Sequence, residues 1–222
     1  MHGNSVHGIN PQMIAHMQKL EPTIVELLKL PKCNKLVHVV LFDSESEYRR
    51  YMQHYFPNLP KRRALFIQDR GPGMVFAHVH PDLGIDLRHE CVHALLNNYC
   101  ASLPLWLDEG LAEYFEVEAP DRMQKNSHLK EVKDRIGSGL VPSLVDLESI
   151  DNVSMMGSGQ YRDSWAWVHF LLHRRPATRA KLVDYLTQRA QGEEPMPLSK
   201  SISLAIPMWQ DEFIQHFQAL DK

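Results

Sequence analysis

His89-Glu90-Cys91-Val92-His93 reads H-E-x-x-H, and the spacing predicts a helix with both imidazoles on one face. Residues four apart in an α-helix lie about one turn apart. The two rings can therefore point at a single metal ion. Glu90 projects beside that face, within reach of a metal-bound water rather than of the metal itself. The chain has 13 histidines in 222 residues, so the pattern alone is weak and its flanks must decide.

Downstream lies Leu105-Trp106-Leu107-Asp108-Glu109-Gly110-Leu111-Ala112-Glu113-Tyr114-Phe115. A catalytic zinc commonly takes three protein ligands and leaves a fourth position for water. His89 and His93 supply two, and a carboxylate on a second helix is a usual third. Glu109 sits among Leu105, Leu107, Leu111, Ala112 and Phe115. A carboxylate in such surroundings needs a partner, because burying an unpaired charge is costly. A third histidine six residues after His93 is ruled out: Tyr99 stands there, and Leu96 stands where that pattern has glycine.

Together, H-E-x-x-H and W-L-x-E-G-L-A-E-Y-F resemble the gluzincin metallopeptidases, in particular the small bacterial peptidase-MA-like group. The resemblance covers about residues 36–116, with a weaker continuation through Tyr161-Arg162-Asp163-Ser164-Trp165. It implies a zincin-like α+β fold and one Zn2+ per chain held by His89, His93 and Glu109. Glu90 would be the general base, and the substrate a peptide or protein. Asp108 replaces the family's usual asparagine, which leaves the role of that position open. Related folds place a tyrosine or histidine of the C-terminal lobe at the developing oxyanion, and Tyr161 is the candidate, with His169 next. Glu113, one turn beyond Glu109, is expected to accept a hydrogen bond from the distal nitrogen of a zinc histidine, His89 first; it also competes as a ligand. Glu116 and Glu118 read as solvated. The other readings are a non-catalytic metal- or peptide-binding domain and a hydrolase of a non-peptide amide or ester.

Composition sets further bounds. A chain of 222 residues with net charge −3 fits a single domain in two lobes, about 1–100 (α/β, bearing the motif helix) and about 101–222 (helical), with the cleft between. No basic stripe interleaved with aromatics appears, so nucleic acid is not an expected partner. No apolar run approaches the roughly 20 residues of a membrane span. The first residues lack the basic and apolar regions of a signal peptide. That leaves the compartment open, since an exported form with its leader removed fits equally well. Oligomeric state is not legible. Cys33, Cys91 and Cys100 form no C-x-x-C pair and no disulfide framework.

The expected elements follow from periodicity and punctuation. Residues 11–30 read as a helix broken near Pro22, 35–42 as a strand, and 44–56 as a helix capped by Ser44. Strands follow at 64–68 and 74–80, then the motif helix at 86–99, the loop Ala101-Ser102-Leu103-Pro104 and the Glu109 helix at 104–118. Residues 120–160 read as polar and glycine-rich with a short helix near 126–136; helices follow at 165–173, 177–189 and 208–220. Residues 74–79 are the expected edge strand for an extended peptide. His78 and His80 face one side of it and could reach the cleft rim. Trp165, Trp167 and Trp209 read as core.

Overall fold

The computed structural model describes residues 11–31, 33–68, 71–100 and 102–221. The fold is α+β and mostly helical. In chain order the elements are α1 (Pro11–Leu28), β1 (His38–Phe42), α2 (Glu45–Tyr55), β2 (Ala64–Ile67), β3 (Met74–His78), α3 (Leu83–Tyr99), α4 (Leu105–Phe115), α5 (Leu129–Gly137), α6 (Leu144–Glu148), α7 (Ser158–His173), α8 (Pro176–Ala190), α9 (Leu198–Ala205) and α10 (Trp209–Gln218).

The three strands form one sheet in the order β1-β3-β2, with β1 parallel and β2 antiparallel to β3. This corrects the expectation that residues 74–79 form an edge. β3 is central, and its burial agrees: Val75, Phe76 and Ala77 are all buried. The free edge beside α3 is β2. His78 and His80, expected at the cleft rim, are buried and half-buried with partners of their own. His78 Nδ1 lies 3.2 Å from the Val79 carbonyl, and His80 Nε2 lies 3.3 Å from Asp86.

Several boundaries move for local reasons. The Ser44 cap is present, its side chain accepting from the Glu47 amide at 3.3 Å. α1 runs unbroken through Pro22. Proline removes one helical hydrogen bond, but Leu20, Ile24 and Leu28 bury one face of the helix, and the Thr23 hydroxyl bonds the Lys19 carbonyl in the same turn. α7 begins at Ser158 because the Gln160 side chain accepts from the Gly157 amide at 2.9 Å and caps the first turn. Tyr161 therefore lies in that first turn. α6 and α9, which escaped the periodicity reading, are short helices that bury Leu144 and Leu147, and Leu198 and Ile202. Ala101 lies outside the described residues; the rest of its loop is fastened by Arg189, whose Nε donates to the Ser102 carbonyl at 2.9 Å.

The core is built on α3, α4 and α7. α3 lies against β2 and β3 on one side and α4 on the other, while α4 packs most extensively on α7. Trp106, Leu107, Leu111 and Phe115 of α4 and Trp165, Trp167 and Phe170 of α7 are almost wholly buried. Each such side chain contributes roughly 1.5–3 kcal/mol. Trp209 is only half-buried, stacked at 5.1 Å on Trp167. Cys91 and Cys100 are buried and Cys33 half-buried, all as free thiols.

Gly110 sets the distance between α4 and α7. A Cβ there would stand 2.6 Å from the Ser164 carbonyl oxygen and 2.9 Å from Val168 Cγ2. Backbone cannot yield as a side chain does, so α4 would have to withdraw. Gly110→Ala is therefore expected to destabilise the protein by about 1–3 kcal/mol despite alanine's better helix propensity. Urea denaturation checks it; a variant as stable as the parent would mean that the helices are free to separate.

Candidate metal centre

α3 carries His89 and His93 one turn apart, and α4 crosses it so that Glu109 faces both rings. The three inward atoms form a nearly equilateral triangle. His89 Nε2 and His93 Nε2 are 3.2 Å apart; Glu109 Oε2 is 3.5 Å from the first and 3.4 Å from the second. Ligand atoms held about 2.0–2.1 Å from a tetrahedral zinc stand about 3.3–3.4 Å apart. Among the described residues these three form one of two groups with metal-ligand spacing; the other is His89, Glu113 and Glu116.

The outward nitrogens settle which lone pairs face inward. His93 Nδ1 lies 2.9 Å from Asp108 Oδ2 and His89 Nδ1 lies 2.9 Å from Glu116 Oε2. An ionised carboxylate can only accept, so both Nδ1 atoms carry hydrogen and donate. When either ring gives up a proton, the hydrogen therefore leaves Nε2, and the lone pair it exposes faces Glu109. Glu109 Oε2 is itself buried and has no hydrogen-bond partner. Once both Nε2 atoms are free of hydrogen, three lone pairs converge at the spacing that suits a divalent cation. The residues present fit zinc.

Two carboxylates in this arrangement were not predicted. Asp108, in the position left open, orients His93. The partner of His89 is Glu116 rather than Glu113, which corrects both expectations. Glu113 turns instead to His128, with Oε2 3.1 Å from Nε2, and Glu116 is largely shielded by His89 rather than solvated. Glu118 pairs with Arg88 at 3.0 Å. Glu109, Glu113 and Glu116 are spaced at i, i+4 and i+7, all on one helix face. That periodicity nominates Glu116 as readily as Glu113, and only the crossing of α3 and α4 chooses between them.

The electrostatics follow from this packing. Burial opposes the charged form of His89, but Glu109 and Glu116 outweigh it and raise its pKa to about 9. Burial opposes His93 likewise, and Asp108 and Glu109 carry its pKa well above the usual value. Glu109 is held far below the carboxylate range despite burial, by the two histidines.

Glu90 is not one of the converging groups, and its Oε2 accepts the Phe66 backbone N–H at 2.7 Å. An amide of edge strand β2 thus fixes its rotamer. Glu90 also helps raise the Tyr48 hydroxyl to about 12, behind burial as the main cause. A cleft of about 420 Å³ opens over these groups, lined by Arg62, Arg63, Ala64, His89, Glu90 and Glu116 among others.

Tyr161, on α7, meets the cleft through Arg62, which lines it. Its Oη accepts from Arg62 Nη2 at 3.3 Å, and its pKa is raised by burial and by the charge of Glu109, against the influence of Arg62 and His93. Arg62 gave no sequence signal. It is one of three consecutive basic residues in a loop, a pattern that ordinarily marks a solvated surface.

The remaining candidates fall away. His169 is fully buried, packed on Trp165 and Phe217 and bonded to His216 at 2.8 Å. Burial, with His216 and His173 nearby, keeps it neutral. Tyr114 bonds His173 at 2.7 Å and Tyr99 bonds Glu21 at 2.8 Å, both away from the triangle.

Residues 85–196 match a family described as protein of unknown function (DUF1570). This is half of the chain and includes every residue of the triangle, so the chain belongs to that family. No curated protein matches it.

Carboxylates that fix a ligating histidine's tautomer commonly contribute about 10–100-fold in metal affinity. Glu116→Ala and Asp108→Ala are each expected to weaken zinc binding by that amount, and Glu113→Ala to leave it nearly unchanged. Competition against a chelator of known affinity checks the order. A larger loss from Glu113→Ala than from Glu116→Ala would reverse the assignment.

Proposed function

We propose that this chain is a zinc-dependent metallopeptidase of gluzincin type on a zincin-like fold. The observation that carries the reading is the triangle of His89 Nε2, His93 Nε2 and Glu109 Oε2, with sides of 3.2–3.5 Å. When bound there, zinc supplies Lewis acidity and a water of lowered pKa.

The chain's own residues then divide the work. His89 and His93 present Nε2 lone pairs because Glu116 and Asp108 hold their Nδ1 hydrogens. Glu90 takes a proton from the attacking water and later delivers it to the leaving amine. Its Oε2 is held by the Phe66 N–H, which leaves the carboxylate one orientation in which to do so. Tyr161 donates its hydroxyl hydrogen to the substrate oxygen as negative charge develops there. Its contact with Arg62 of the cleft wall and the electrostatic influence of Glu109 support that role. The substrate is a peptide lying in the cleft of about 420 Å³.

Two experiments test the reading. The purified protein is expected to contain one zinc per chain. Glu90→Gln is expected to keep that zinc while losing hydrolysis of a peptide library, because the base is not a ligand. Absence of zinc, or its loss in Glu90→Gln, would overturn the assignment. Tyr161→Phe is expected to lower kcat by about 10²–10³ with KM and zinc content nearly unchanged. Steady-state kinetics on a cleaved peptide decides this, and a full-rate variant would remove Tyr161 from the site.

A further inference from the structure

We propose that Arg62 is a positioning residue that turns the Tyr161 hydroxyl so that its hydrogen faces the cleft; this rests on the reading of Tyr161 as the donor to the substrate oxygen. A tyrosine hydroxyl has one hydrogen and two lone pairs, whereas a guanidinium can only donate. In the 3.3 Å contact, therefore, Arg62 Nη2 gives the hydrogen and Tyr161 Oη receives it. The hydroxyl hydrogen is not consumed by this bond and remains available to a substrate. A carboxylate or carbonyl in place of Arg62 would have accepted that hydrogen and disabled the group.

The loop holds Arg62 to this task. The Arg62 amide donates to the Pro60 carbonyl at 3.0 Å and the Leu59 amide to the Phe56 carbonyl at 3.2 Å. Arg63 is tied to Asp82 and Asp86, each at 2.9 Å. Tyr161 is fixed from the other side, its amide bonded to the Gly157 carbonyl at 3.2 Å. Four residues after Arg62, the Phe66 amide holds Glu90. The segment from Arg62 to Phe66 thus sets the geometry of the base and of the oxyanion donor together. Burial opposes the Arg62 charge, but the Tyr161 contact and the carboxylates of Glu109 and Glu90 sustain it.

The test uses the zinc-loaded full chain with Arg62→Gln, Arg62→Lys, Tyr161→Phe and the double variant Arg62→Gln/Tyr161→Phe. Arg62→Gln is expected to lower kcat roughly tenfold or more with KM within about twofold, and Arg62→Lys to recover most of it. In the Tyr161→Phe background the Arg62→Gln change is expected to cost less than about twofold, since residues that act through one another are non-additive. An equal cost in both backgrounds would overturn the proposal and leave Arg62 acting on its own. The second readout needs no turnover. With 3-fluorotyrosine incorporated, the 19F resonance that Tyr161→Phe removes reports residue 161, and Arg62→Gln is expected to raise its pKa by withdrawing a positive donor. An unchanged pKa would overturn the link between the two residues. A chain that cleaves no peptide yet shows the pKa shift would instead count against the peptidase reading alone.

Discussion

Two imidazole nitrogens and a carboxylate oxygen meet within 3.5 Å of one another in a buried place. The two charged rings repel each other, and Glu109 offsets that. The surrounding structure nevertheless reinforces the arrangement. Asp108 and Glu116 take the hydrogens that would let either ring turn round, and Gly110 lets α4 lie close on α7, so the helix bearing Glu109 cannot retreat. The buried apolar side chains of α3, α4 and α7 hold together the helices that carry these groups. That order is what the proposed metal site requires.

How much of this was legible depended on how far each feature rests on local geometry. The pairing of His89 with His93 follows from one helical turn, and any reader of the sequence reaches it. Glu109 was legible because a lone carboxylate among Leu107, Leu111 and Phe115 is costly without a partner. The division between Glu113 and Glu116 was not, since both share the face of Glu109 and only the rotation of α4 over α3 selects one. Asp108 precedes Glu109 and lies at the rim of the same face; its partner on α3 is fifteen residues away in sequence, beyond any local rule. The order of the strands was likewise hidden, because periodicity describes a strand's faces and not its neighbours. The unbroken α1 shows tertiary burial overriding a local rule, with Ile24 and Leu28 holding the turn that Pro22 weakens.

The sheet is small, and its shape suits the position of β2 more than the building of a core. β3 is the inner strand, with β1 parallel to it at one edge and β2 antiparallel at the other. An edge strand ordinarily leaves backbone amides unsatisfied, a liability that proteins blunt or cover. Here one of those amides is occupied by Glu90. The strand thereby gains a partner and the carboxylate gains an orientation, so a feature that would invite aggregation is absorbed into the cleft.

The thiols have a different consequence. Cys91 lies inside the histidine motif, yet burial pushes its thiol up to about 12, and Cys100 is pushed up to about 11 for the same reason. Thiolates are the reactive form, so both are inert in the folded chain. Cys33 alone is partly exposed, and it sits against the end of α3, its Sγ 3.9 Å from the Asn98 carbonyl. The native protein therefore offers a single addressable handle, without any engineering, at the far end of the helix that carries His89 and His93. A fluorophore or spin label attached there would report on that helix while leaving the triangle of ligands untouched.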